Sequence, residues 1–232
     1  MNKHSLLVTG LTFLLFPFFS FSGIQLNNNK FIYIENTKNE RIEIKNTSDK
    51  EYFIQSVVTQ SNIDNKDPAP FIISPPLFKL GANETFFLDI IKIDDINIKE
   101  KESLYKINIK SVPIIKNKEE KENLLHVSLN MIYNLFYRPS KLSNKEKNYS
   151  DIVFSKNKNG YLIIKNPTPY YITLTSVKNN NINFIENSKT ISPFKKYNTK
   201  VKLSSSSIIN YSIRNEFENV IEMPSKEVIN EE

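Results

Sequence analysis

Short runs of β-branched and aromatic residues recur along this chain between stretches of Asn, Lys, Ser and Pro, and no sustained apolar period of 3.6 residues appears. Side chains alternate across a strand and wind around a helix, so this pattern predicts an all-β chain. The runs fall at 30–34, 41–44, 52–58, 85–91, 104–112, 124–137, 151–154, 161–164, 170–175, 200–203 and 208–213. Such spacing is typical of β-sandwich strands, and the number of runs fits two consecutive sandwiches. The charged, Asn-rich segment 140–149 follows directly on Pro139 and makes the best boundary. The expected organisation is a first domain over 23–140, a linker over 141–149 and a second domain over 150–232.

One run differs from the rest. Between 124 and 137, Leu125, Val127, Leu129, Met131 and Tyr133 alternate with His126, Ser128, Asn130 and Asn134. Five apolar side chains therefore share one face over about 26 Å, at roughly 3.3 Å per residue. Periodicity alone fits two arrangements. The stripe can face the core of its own sandwich, or it can lie at an edge and fill successive pockets of another protein.

The first 22 residues read as an export signal. Lys3 and His4 precede an apolar stretch from Leu6 to Phe19, and the small residues Ser20 and Ser22 stand just before Gly23. Pro17 interrupts that stretch, which falls short of the roughly 20 apolar residues a spanning helix needs. No later stretch is long enough, so no membrane insertion is expected after cleavage. About 210 residues then remain, enough for two small domains.

Composition narrows the chemistry. Cysteine is absent, which excludes thiol redox chemistry and disulfide staples, so stability must come from burial and backbone pairing. The formal charge is +6, one less without Lys3, and the basic residues are scattered among Asp, Glu and Asn. Nucleic-acid binding would need a clustered basic stripe with interleaved aromatics. The Asn runs at 27–29 and 179–181 suit turns, where Asn tolerates positive φ. No Gly-rich phosphate loop is present. After signal removal His126 is the sole histidine; it lies on the polar face of its run, and no Gly-x-Ser-x-Gly elbow accompanies it. Asp94-Asp95 and Glu119-Glu120 with Glu122 read as loop charges. Neither an enzyme nor a metal or cofactor site is expected.

The block Asn134-Leu135-Phe136-Tyr137-Arg138-Pro139-Ser140, followed about 25 residues later by Asn166-Pro167-Thr168-Pro169-Tyr170-Tyr171, resembles the signature of the periplasmic pilus-assembly chaperones, the PapD-like family. Further blocks follow in the same order. They are Gly23 to Leu26, Lys30 to Tyr33, Ser74 to Leu80, Lys101 to Tyr105 with Asn108, Val112-Pro113, and Ile191 to Phe194. This resemblance implies two immunoglobulin-like β-sandwich domains set at an angle. It also implies a periplasmic chaperone that caps fimbrial subunits and delivers them to an outer-membrane usher. Only about ten residues, 114–123, separate the two long strands, which resembles the short-loop subclass.

In that family a subunit lacking its last strand borrows one from the chaperone, a case of β-strand addition. The resemblance assigns the donor role to Leu125, Val127, Leu129, Met131 and Tyr133. It also implies that the subunit's terminal carboxylate is held by a cleft arginine and by a lysine just before the Leu-Phe-Tyr-Arg-Pro block. Those places hold Lys30 and Asn134 here, so the anchor loses a rigid two-pronged guanidinium and one full charge. Lys30 is expected as the main ligand, with Asn134 as an auxiliary donor. Glu102, Arg138 and Glu216 match an interdomain ion network. A free edge also offers a surface for self-association. The alternative reading is an exported structural or adhesive β-sandwich, such as a fimbrial subunit. Its own donor extension would lie at the N-terminus, whereas this stripe is internal.

Overall fold

The computed structural model describes residues 23–37, 40–62, 64, 67–115, 127–143, 147–203 and 208–230. The export-signal reading of 1–22, the candidate donor Leu125, His126 and the acids at 119–122 lie outside the described residues. Strands are numbered in chain order.

Two sheets form the first sandwich. One has the order β1 (Ile24–Leu26), β3 (Glu40–Asn46), β7 (Thr85–Lys92), β5 (Phe71–Ser74). The other has the order β2 (Lys30–Ile34), β9 (Leu129–Arg138), β8 (Ser103–Pro113), β4 (Tyr52–Gln60), β6 (Leu77–Leu80). Alternation places Ile42, Ile44, Leu88 and Ile90 of the first sheet against Phe31, Ile54, Ile107, Ile109, Leu135 and Tyr137 of the second, all buried in one core. Each such side chain, fully buried, contributes on the order of 1.5–3 kcal/mol.

The second sandwich pairs β15 (Lys196–Lys202), β11 (Tyr161–Lys165), β10 (Val153–Lys156) and β18 (Ile229–Asn230) in one sheet. The other holds β13 (Ile182–Asn183), β12 (Ile172–Asn179), β16 (Ile208–Arg214) and β17 (Val220–Glu227), with β14 (Lys189–Ile191) also on β12. Its separate core gathers Phe154, Leu162, Ile164, Leu174, Val177, Tyr211 and Ile213. Between the domains, Ser140–Ser143 forms one helical turn whose Leu142 is buried, and Tyr149–Asp151 forms a 3-10 turn.

Matching Asn turns stabilise both sandwiches. Asn46 Oδ1 accepts from Ser48 N and Oγ while its amide donates to the carbonyls of Lys50 and Gly81. Asn166 does the same with Thr168, Tyr170 and Ile191. Both Asn side chains are buried, and the bonds satisfy polar groups that would otherwise be costly to bury.

Two features of β9 differ from the sequence expectation. The strand begins at Leu129, with Val127 and Ser128 preceding it, and the expected start at 124 lies outside the described residues. Moreover, the stripe has two environments: Val127 and Leu129 are about half exposed, whereas Met131 and Tyr133 pack against the chain's own core. Phe31 meets the Tyr133 ring edge-on at 6.3 Å.

Candidate functional site

The chain changes sheets between β1 and β2, and this change creates the open edge. β1 pairs antiparallel with β3; after Asn27–Asn29 the backbone crosses over, and β2 pairs parallel with β9. That pairing starts only at Lys30 opposite Asn134 and runs to Ile34 opposite Arg138. On its other side β9 pairs with β8 along its whole length, from Leu129 opposite Ser111 to Tyr137 opposite Ser103. Among the described residues, Leu129 to Tyr133 therefore have no strand partner on the side away from β8. Such an edge presents unpaired backbone donors and acceptors to any segment that can add a strand.

Burial changes where β2 joins. Leu135 and Tyr137 point into the first core, while Phe136 and Arg138, on the opposite face, are buried by the second domain. The Phe136 and Tyr171 rings lie 5.3 Å apart across the boundary. A strand buried on both faces explains why Leu-Phe-Tyr-Arg-Pro abandons the apolar–polar alternation seen before it.

The sequence-predicted residues Glu102, Arg138 and Glu216 meet at this boundary. Arg138 Nε and Nη2 donate to Glu102 Oε1 at 2.9 and 2.7 Å. Its Nη2 also pairs with Glu216 Oε1, and Nη1 reaches Glu216 Oε2 at 3.4 Å. The remaining oxygen of Glu102 accepts from Tyr171 N at 2.8 Å, and Glu102 N donates to Pro169 O at 2.9 Å. Lys147, absent from the sequence reading, stands 3.9 Å from Glu216, and both Lys147 and Arg138 lie over the Tyr170 ring.

These contacts set the charge states. Burial alone would lower the Arg138 pKa, but hydrogen bonding and attraction from Glu216 and Glu102 hold it above its usual value. Burial pushes Glu216 up, yet Arg138, then Lys147 and Lys30, outweigh that and leave its carboxyl below the ordinary range. Burial moves Lys147 down, and the acids offset only part of that shift.

The anchor residues Lys30 and Asn134, expected as main and auxiliary carboxylate ligands, are in-register neighbours, and Lys30 is already engaged within the chain. Its ammonium pairs with Glu218 Oε1 at 2.9 Å and donates to the Asn215 carbonyl, both on the turn between β16 and β17. A cavity of about 460 Å³ lies beside it, lined by Asn27–Asn29, Glu40 and Glu216–Glu218. Asn134 Oδ1 accepts from Lys106 Nζ at 2.6 Å. Lys106 was missed because its proximity depends on the β8–β9 register, which composition and spacing do not reveal. Among the described residues no helix is long and apolar enough to cross a membrane.

Comparison with known families matches residues 23–143 to a pili and flagellar-assembly chaperone model, PapD N-terminal domain, and 147–219 to a pili assembly chaperone PapD C-terminal domain. The chain is 32% identical over 183 residues to the Escherichia coli chaperone protein FocC, covering 78% of this chain and 79% of FocC. Its fold resembles the E. coli chaperone DraB with a TM-score of 0.73 at 22% identity, covering 89% of this chain and 97% of DraB. It also resembles the SafB chaperone solved in complex with the Salmonella enterica SafA pilin, with a TM-score of 0.71 at 24% identity, covering 89% of this chain and 95% of that one.

Proposed function

The chain belongs to the PapD family of pilus-assembly chaperones, and from that premise we propose that it holds fimbrial subunits in the periplasm by lending them the free edge of β9. It works as a binding protein without catalysis, and it passes its subunit to an outer-membrane usher. The observation that carries this reading is the edge at Leu129 to Tyr133, unpartnered among the described residues, with apolar Val127 and Leu129 exposed at its outer end.

A subunit strand added there continues the line of β2 along β9. If it runs parallel to β9, as β2 does, its C-terminus arrives at Lys30 and Asn134. Main-chain hydrogen bonds secure the strand, and the donor residues Leu125, Val127, Leu129, Met131 and Tyr133 face the subunit's open groove to differing degrees. Val127 and Leu129 are the most available of the described donors; Met131 and Tyr133 serve mainly to hold the strand on its own sandwich. Lys30 acts as carboxylate ligand once it leaves Glu218, with the Asn134 amide as a second donor. The network of Glu102, Arg138 and Glu216 sets the relation between the two domains around this anchor.

Periplasmic co-purification with a fimbrial subunit from the same genome tests the reading. The wild-type chain retains the subunit, and the Val127→Glu/Leu129→Glu variant loses it while staying folded. Equal retention by both would remove strand donation as the mechanism.

A further inference from the structure

Three strands place Lys30, Asn134 and Lys106 in one row. Lys30 of β2 is the register partner of Asn134 on β9, and Asn134 is the partner of Lys106 on β8. The adjoining residues Phe31, Leu135 and Tyr105 all point into the core, so the row lies on the opposite face of the sheet. With neighbouring strands about 4.8 Å apart, the two lysine backbones lie roughly 10 Å from each other with the Asn between them. Flexible four-carbon stems let both ammonium groups reach a group seated over Asn134.

The bonding of the row is asymmetric. Lys30 is held by Glu218 and the Asn215 carbonyl, whereas Lys106 has no ion pair among the described residues and donates one bond, to Asn134 Oδ1 at 2.6 Å. An ammonium carries three donors and no acceptor. Lys106 therefore has two donors left, and its single bond turns the Asn134 oxygen toward β8, leaving the amide NH2 to donate elsewhere. Lys106 also borders an open cavity of about 560 Å³ with Asn108, Ile132 and Asp67, so solvent and ligand can approach.

Resting on the anchor reading given above, we infer that Lys106 is a second cationic ligand for the subunit's terminal carboxylate, supplying from β8 the charge that Asn134 lacks. The carboxylate sits between two lysines with the Asn134 amide beneath it, and Lys106 orients that amide as well as binding the anion. Specificity for a free C-terminus then depends on Lys106 as well as on Lys30.

The test titrates the full-length mature chain with a synthetic peptide bearing the C-terminal strand of a fimbrial subunit from the same genome. The peptide is used as the free acid and as the C-terminal amide. Wild type is expected to prefer the acid by about a hundredfold, the scale of two charge-assisted bonds at about tenfold each. Lys106→Met and Lys106→Gln should each cut that preference about tenfold without changing affinity for the amide, and Lys106→Arg should restore it. Thermal unfolding checks that each variant is folded. If Lys106→Met keeps the full preference and Lys30→Met abolishes it, the inference is overturned while the anchor reading stands. Equal weakening of acid and amide makes Lys106 a structural residue and also overturns it. If wild type binds both forms equally well, the anchor reading itself fails and Lys106 falls with it.

Discussion

Arg138 places two of its nitrogens on the same oxygen of Glu102, at 2.9 and 2.7 Å, while the other oxygen of Glu102 receives the backbone N–H of Tyr171 from the second domain. The Glu102 side chain is 1% exposed, so these partners, and not water, offset its burial. Arg138→Ala strands a buried carboxylate and is expected to cost about 3–5 kcal/mol in chemical denaturation. Glu216→Gln removes a partner that is 29% exposed, and its cost should be clearly smaller. Equal effects from the two substitutions would show that Arg138 is not what offsets the burial of Glu102.

Part of the acid sensitivity should come from Glu35, which sequence reasoning passed over, alongside Glu216. Hydrogen bonding to Lys99, then to Ser140 N at 2.9 Å, outweighs burial and pulls its pKa down to about 2. A depressed folded pKa means that this contribution is complete above the unfolded value, about 4.3. It is lost as pH falls through about 2. Unfolding free energy should therefore decline between about pH 5 and pH 2, and Glu35→Gln should flatten that decline. A variant with the wild-type slope would place the acid-labile contribution elsewhere.

The Lys30–Glu218 pair holds the proposed anchor within the chaperone itself. An incoming carboxylate must displace an ion pair whose members are 17% and 30% exposed. Taking about 0.5–1 kcal/mol for a pair that water still reaches, Glu218→Ala should tighten subunit binding by roughly two- to fivefold. It should not alter affinity for a subunit whose C-terminal carboxylate is blocked. Weaker binding in the variant would mean that Glu218 helps to position Lys30 and does not compete for it.

Much of this architecture was legible because one-sided burial writes a period of two into the sequence. The run 30–34 coincides with β2, and 41–44, 85–91 and 104–112 lie within β3, β7 and β8. Short strands such as β5, β13, β14 and β18 were not legible, since two to four residues are too few to show a period. At the site, Arg138 and Glu102 could be proposed as partners from the matched blocks, and the structure brings them together with Glu216. Lys106, Lys147 and Glu218 were not foreseeable: each acts through a strand register or a domain contact. Of the single run 124–137, residues 124–126 lie outside the described residues and 127–128 precede β9, because apolar alternation can continue past the first ladder pair, which only the β8–β9 register fixes.

That division of the stripe is itself testable. Leu129 is 52% exposed at the open edge, while Tyr133 packs on the core beside Phe31. Leu129→Glu introduces a charge where water already reaches, so unfolding free energy should stay within about 0.5 kcal/mol of wild type. It should nevertheless abolish subunit retention, because the same carboxylate would be driven into an apolar groove and desolvated without a partner. Tyr133→Ala removes a packed ring and should cost about 2 kcal/mol or more of stability. Its effect on binding should disappear when measured well below the unfolding temperature. If Leu129→Glu instead destabilised the fold as much as Tyr133→Ala, the outer end of β9 would be part of the chain's own core, and the free edge would be closed in the resting protein.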